Sequence, residues 1–468
     1  MTESAQDLAR RLLANSSSSA DTGATPTKKA PKTAVSKLTQ PSATTRKRRG
    51  PGKQFADLPD VIRSNQRKAL VAAAQESSEL PNVLFLTRPG PNNTVVRVSD
   101  PKLAGIDLVN FSTYDYLALS NHPRVLEGAR QAIDQYSASA AASRAVGGQY
   151  QLQLDLEQRL AGIYDVGDAM VTPSGYLTNT GVIGYLLGPN DVAICDELIH
   201  ASVISGVQLS GARRLTFRHN DPDSLRAVLR TSRNTFDRAL LVLEGHYSMD
   251  GTIGRVAEAA AVAREYDCAV MVDEAHSIGV FGAHGRGIRE HYGMPGDAVD
   301  IWMGTLSKGL ASCGGYIAGD TELIGAIKFS APAFTFTGGP APATLGAAQA
   351  ALDVIEDEPQ RLTRLWANAA QFHSLLHERG LNLGISEGTP ICPVIVPGEL
   401  RAAFVSSTLL RQGVYVTFII APTVPTGQER LRFFVTAEHT PEQLVSTADL
   451  LAEAIPQAKQ IPDIAFST

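Results

Sequence analysis

Seven short runs with the length and apolar content of buried strands lie between residues 168 and 319, and they constrain this chain more than any other feature. They are DAMVT (168–172), DVAIC (191–195), RRLTF (213–217), ALLVL (239–243), CAVMVD (268–273), DIWMG (300–304) and GGYIAG (314–319). A strand with one wetted face alternates polar and apolar residues. Most of these runs do not, so both of their faces must be covered. Segments with helical periodicity, such as Val256 to Tyr266, supply the cover. The pattern predicts an α/β fold around a mostly parallel central sheet. Ligands of such sheets sit beyond the carboxyl ends of the strands, so the polar residues just after each run are the candidates for chemistry.

The texture changes after Ala343. Long helical patterns (360–379, 401–412, 441–455) alternate with PVIVP (393–397), VYVTFII (414–420) and RLRFFVT (430–436), which suits a smaller C-terminal α+β domain with an antiparallel sheet. At 468 residues the chain has room for that division and for a core needing neither disulfides nor metal. The expected organisation is a disordered basic tail at 1–55, a helical segment with small strands at 56–107, a large α/β domain at 108–343 and the α+β domain at 344–468. The tail opens with an amphipathic pattern from Ala5 to Ala14. It then runs through Ser, Thr, Ala, Pro and Lys, a composition too poor in apolar surface to order itself. It holds 11 Lys/Arg against 3 Asp/Glu while the remainder holds 31 against 44, a tail of +8 on a body of −13. A docking arm for an acidic partner and a solvated linker both fit that charge pattern. Without aromatic residues among the charges, it does not point to nucleic acid.

Composition excludes further classes. No run approaches the roughly 18 apolar residues that a membrane span requires. The opening MTESAQDLARR has no apolar signal core, so a cytoplasmic location is expected. Cys195, Cys268, Cys313 and Cys392 form no CxxC pair, which argues for buried spectator thiols rather than a disulfide framework or a zinc cluster. His373 and His377 lie one helical turn apart, but HSLLH lacks the glutamate of a zinc-protease helix, and no metal site is expected.

Four segments carry chemistry. In MVDEAHSIGVFG, Asp273 and His276 follow a buried strand, where an acidic side chain needs a cationic partner; a protonated heterocyclic nitrogen would serve, and so would a turn that the Asp caps. In DIWMGTLSKGLASCGGYIAG, Lys308 sits among small residues and the hydroxyls of Thr305, Ser307 and Ser312. With little to pair with, burial would lower its pKa toward the range of a nucleophilic amine, and such lysines form Schiff bases. Thr305 and Ser307 offer hydroxyls to phosphate oxygens. In TPSGYLTN, Ser174, Gly175 and Tyr176 form a turn into a helix whose uncovered N–H groups suit an anion. In DELIHASVISG, His200 follows a strand and can present a flat ring to an aromatic ligand.

Taken in order, these segments resemble the pyridoxal-phosphate enzymes of the aspartate-aminotransferase fold (fold type I), and within them the α-oxoamine synthases. The resemblance runs from about Asp57 to Gln457 and rests on NFSTYDYLALSNHP, ASRAVGGQYQLQLDLE, PSGYLTN, DELIHAS, EGHYSMDG, VDEAHSIGVFGAHGRG, MGTLSKGLASCGGYIAG, APTVPTG and RLRFFVTAEHT. TLSKGLASCGGYIAG, FTFTGGPAP and AEHT look most like serine palmitoyltransferase and the polyketide-associated members.

The resemblance implies pyridoxal 5'-phosphate as cofactor, with Lys308 as the Schiff-base lysine, Asp273 on the pyridine nitrogen and His200 stacked on the ring. His276 and Ser248 would approach the phenolic oxygen, and Ser174, Gly175, Tyr176, Thr305 and Ser307 would surround the phosphate. Arg432 would grip an amino-acid carboxylate, with Thr423 of APTVPTG beside the substrate. It also implies a homodimer, with FTFTGGPAP (334–342) reaching across, and a decarboxylative condensation of an amino acid with an acyl thioester of coenzyme A or of an acyl carrier protein. Transamination and aldol-type cleavage use the same lysine and aspartate; a non-catalytic partner subunit would need neither. The chain departs from simpler members on the acyl side: Tyr114 stands where many have Asn, SASAAASR (137–144) replaces a glycine-rich run, and Gln153, Gly338 and Ile420 replace His, Thr and Arg, with Thr337 available in place of the threonine at 338.

Overall fold

The computed structural model describes residues 81–461, together with Phe55, Leu58, Val61, Ile62 and Asn65. The tail as far as residue 54, and most of the expected 56–107 segment up to residue 80, lie outside the described residues. Each of the seven runs is a strand: β3 (Asp168–Thr172), β4 (Val192–Asp196), β5 (Arg213–Phe217), β6 (Ala239–Glu244), β7 (Ala269–Asp273), β8 (Ile301–Thr305) and β9 (Gly315–Gly319). They form one sheet in the order β3-β9-β8-β7-β6-β4-β5. Only β9 runs against its neighbours, because a nine-residue connection, Leu306 to Gly314, turns the chain straight back from β8.

The absence of alternation has the anticipated cause. Ile194, Leu241, Leu243, Val270, Val272 and Trp302 pack on one face, and Ala193, Cys195, Leu240, Val242, Met271 and Met303 on the other. Burying each large side chain contributes about 1.5–3 kcal/mol. RRLTF differs because it is the edge strand, and its two arginines face water. Two helices cross against this body at Gly128 and Gly346, where a Cβ on Gly128 would lie 2.7 Å from the Gly346 carbonyl oxygen.

Two small sheets complete the structure. β10 (Ile391–Ile395), β12 (Thr417–Ile419) and β13 (Arg430–Phe434) form an antiparallel sheet with β13 in the middle. β1 (Val95–Val96), β2 (Leu108–Asn110) and β11 (Val414–Tyr415) form the other. VYVTFII therefore does not form one strand. The chain changes sheets at buried Val416, whose carbonyl accepts a hydrogen bond from Ser406 Oγ at 2.6 Å. β2 pairs parallel to β11, and Phe111 packs with Phe372 and Phe433 in the C-terminal core. This tether carries the residues after Phe111 to the mouth between the large sheet and β13. The thiols of Cys195, Cys268 and Cys392 are buried, but Cys313 is exposed, because the tight return from β8 to β9 turns it outward. Among the described residues no helix is long and apolar enough to cross a membrane, and no group of His, Cys, Asp and Glu is placed to hold a metal. His373 donates to the Thr389 carbonyl inside the fold.

Candidate active site

The carboxyl ends of β7 and β8 hold the lysine and its neighbours. Lys308 lies in the connection after β8, held by backbone bonds from Leu306 N–H to the Gly314 carbonyl, from Ser312 N–H to the Leu306 carbonyl and from Ala311 N–H to the Lys308 carbonyl. Its Nζ is 2.9 Å from His276 Nε2. Burial lowers the Lys308 pKa to about 8 against the opposing pull of the Asp273 and Glu244 carboxylates. The other nitrogen of His276, Nδ1, is 2.7 Å from the Tyr116 hydroxyl. Burial first, and the lysine charge second, push His276 well below the usual imidazole range, so the ring is neutral.

Asp273 closes β7, with Oδ1 accepting from Ala275 N–H at 2.9 Å and Oδ2 from Asn179 Nδ2 at 2.8 Å. Its register partner on β6 is Glu244, whose carboxyl is raised well above its ordinary value by burial and by the Asp273 charge. His200 caps the helix Ala201–Ser210, and its Nδ1 accepts from Ser202 N–H.

The first turn of the helix Gly175–Leu186 faces the end of β8. Ser174 caps it by accepting from Leu177 N–H at 3.1 Å. A Cβ on Gly175 would stand 3.1 Å from Thr305 Oγ1, so glycine is what allows this close approach. Thr305 Oγ1 donates to the Gly314 carbonyl and accepts from Ser307 N–H. Tyr176 is half exposed, with its hydroxyl 2.7 Å from Ser205 Oγ and its ring edge-on to His200.

Arg432, in the middle strand of its sheet, is buried. It donates through Nη1 to the Ser248 carbonyl at 2.9 Å and through Nη2 to the Tyr114 hydroxyl at 3.5 Å. Its guanidinium lies over Phe434, 4.7 Å from the ring centroid. Among the described residues no carboxylate pairs with it. A buried cation without a counter-ion is costly, and the site is complete only when an anion meets it. Both cations lie near the Tyr114 ring, Lys308 Nζ 5.7 Å and Arg432 Cζ 5.9 Å from its centroid.

Lys308, His276, Asp273 and Arg432 are thus brought to one mouth, with Ser248 present through its carbonyl. Thr423 is on the exposed turn after β12, its N–H bonded to the Ile420 carbonyl, and among the described residues its side chain joins no hydrogen bond of this cluster. Sequence reasoning missed Tyr116, Asn179, Ser202 and Glu244. All four stood in segments already singled out, Asn179 closing TPSGYLTN, Ser202 closing DELIHAS, Glu244 opening EGHYSMDG and Tyr116 inside NFSTYDYLALSNHP, but no local pattern marked the role of any of them.

The sequence profile described as Aminotransferase class I and II matches residues 106–451. The 8-amino-7-oxononanoate synthase 1 of Bacillus velezensis is 38% identical over 353 residues, covering 75% of this chain and 90% of that protein. The serine palmitoyltransferase of Sphingobacterium spiritivorum is 36% identical over 356 residues, covering 76% of this chain and 88% of that protein. The chain belongs to the class I and II aminotransferase family. Both relatives are α-oxoamine synthases. Among solved structures, the serine palmitoyltransferase of S. paucimobilis with bound PLP superposes with a TM-score of 0.79 at 28% identity, covering 88% of this chain and all of that one.

The family is pyridoxal-phosphate-dependent, and the residues present fit the cofactor. First-turn N–H groups suit its phosphate, while the Thr305 and Ser307 hydroxyls beside that turn both donate to the Gly314 carbonyl. The Asp273 carboxylate, bonded at both oxygens, suits a protonated pyridine nitrogen, and Lys308 lies beside that carboxylate. Asn179 Oδ1 is buried without a hydrogen-bond partner behind Asp273.

Proposed function

We propose that this α-oxoamine synthase joins the Cα of an amino acid to the carbonyl carbon of an acyl thioester, releasing the thiol and the amino acid's carboxyl group as carbon dioxide to leave an α-aminoketone. It is a PLP-dependent acyltransferase, as its relatives are. The observation that carries the reading is buried Arg432, without a carboxylate partner among the described residues, near the same Tyr114 ring as the Lys308 amine.

Pyridoxal phosphate supplies an electron sink for negative charge at Cα. Arg432 holds the substrate carboxylate with the planar fork that carboxylates match. Lys308, easier to deprotonate than an exposed lysine, moves the Cα proton. Neutral His276 accepts at Nε2 and fixes where Nζ points, while Tyr116 fixes the imidazole. Asp273 keeps the positive charge of the pyridinium satisfied. Buried Phe434 excludes water from one side of the carboxylate grip, which strengthens its charge pairing.

Residues 108–343 and 344–468 are read as the two domains, with the strand at 108–110 crossing to the C-terminal sheets. The working assembly is a homodimer in which 334–342 reaches across, in the cytoplasm. An acyl carrier protein is a second source of the thioester, met by the basic tail. A mass-spectrometric screen of amino acids against acyl-coenzyme A and acyl-carrier thioesters tests the reading. It expects free thiol and carbon dioxide in equal amounts; keto-acid formation without thiol release would assign transamination instead.

A further inference from the structure

Four side chains link the ends of three different elements. Asn179 Nδ2 is 2.8 Å from Asp273 Oδ2 and 2.9 Å from Ser202 Oγ, and Ser202 Oγ is 2.7 Å from His200 Nδ1. Asn179, Ser202 and Asp273 are all buried, so water does not compete for these bonds. Asn179 Oδ1 has no partner, which leaves the amide only one sensible orientation. Turned over, it would set its oxygen against a carboxylate oxygen with no hydrogen between them.

The direction of every hydrogen then follows. The carboxylate accepts only, so it takes one amide hydrogen of Asn179. The second amide hydrogen goes to Ser202 Oγ, which must accept. A hydroxyl has one hydrogen and two acceptor sites, so the Ser202 backbone N–H decides the matter: aimed at His200 Nδ1, it requires a lone pair there, which makes the hydroxyl the donor of the 2.7 Å contact. Ser202 N–H aims at the same nitrogen at 3.3 Å. With two donors on Nδ1, His200 has no place there for its own proton.

We propose that Asn179 and Ser202 form a one-way relay by which the Asp273 carboxylate holds His200 as a neutral imidazole carrying its proton on Nε2. Both are positioning residues. Their effect is that His200 offers an uncharged face and a single outward donor, and that the two groups expected to grip the cofactor ring are set by one network. Burial, which pushes His200 below its ordinary pKa, acts in the same sense.

The test reads the hydrogens directly. Full-length holoenzyme labelled with 15N-histidine is examined by side-chain proton–nitrogen correlation at neutral pH, with His200 assigned by loss of its signals in His200→Gln. The expected result is one neutral ring protonated at Nε2. Ser202→Ala and Asn179→Ala, two independent breaks, should each raise the Nδ1-protonated share from below detection to a measurable fraction, while Ser202→Thr restores the native pattern. A charged or Nδ1-protonated His200 in the native enzyme, or a pattern unmoved by both breaks, overturns the relay. Thiol release plays no part in this readout, so failure of the relay and failure of the condensation reading are separate results.

Discussion

Lys308 Nζ and His276 Nε2 are 2.9 Å apart, and the histidine's opposite nitrogen is bound to Tyr116. A neutral ring that accepts at Nε2 carries its proton at Nδ1 and donates it to the Tyr116 hydroxyl. The lysine is thus aimed by a histidine that is itself aimed by a tyrosine. Removing the tyrosine hydroxyl in Tyr116→Phe leaves a buried N–H unpaired, at about 1–3 kcal/mol of stability. Chemical denaturation should show that loss, and turnover should fall while cofactor still binds.

Lys308 has a pKa of about 8 in the folded protein against 10.5 ordinarily. In cofactor-free enzyme its reaction with an amine-selective reagent, followed by peptide mass, should have its midpoint near pH 8. The folded state releases this proton before the unfolded chain does, so the group's contribution to stability rises with pH between about 8 and 10.5. Lys308→Ala should abolish turnover and covalent attachment of the cofactor; borohydride trapping on another lysine would refute the assignment.

Arg432→Ala should weaken amino-acid binding by about 2–5 kcal/mol while cofactor affinity changes little. Absorbance titration of the holoenzyme with amino acid measures both. Arg432→Lys should recover little, because an ammonium reproduces neither the fork nor the stacking on Phe434. Equal loss of both affinities would make the arginine structural.

Phe336, within the segment expected to reach a second subunit, and Phe329, just ahead of it, are 84% and 85% exposed. Light scattering should give the mass of a dimer. Phe336→Glu should shift the equilibrium to monomers and lower activity with it. An active monomer would remove the dimer from the proposal.

Deleting residues 1–50 should leave cofactor binding and turnover of small thioesters unchanged. If the tail steers an acidic carrier, the truncated enzyme loses rate only with carrier-bound acyl groups, and added salt erases the difference. Equal rates at low salt would retire the steering role.

The local pattern of the sequence was enough to place Asp273 and Lys308 just past buried strands, and Ser174 to Tyr176 at a helix start. Unbroken apolar runs report double-sided burial, and small residues report close approach; both signals are contained within a few neighbours along the chain. Tyr114 and Arg432 are separated by 318 residues and meet because β2 is tethered to β11 and the Phe434 N–H at the end of β13 donates to the Phe111 carbonyl just after β2. Asn179 and Asp273 are 94 residues apart and meet because a helix N-terminus packs over the end of the sheet. The exposure of Cys313, the division of VYVTFII between two sheets and the lack of a counter-ion for Arg432 among the described residues belong to the same class. Each depends on what stands opposite in space, which tertiary packing decides, because side chains distant in sequence acquire partners, burial and altered proton affinity only when the sheets are assembled.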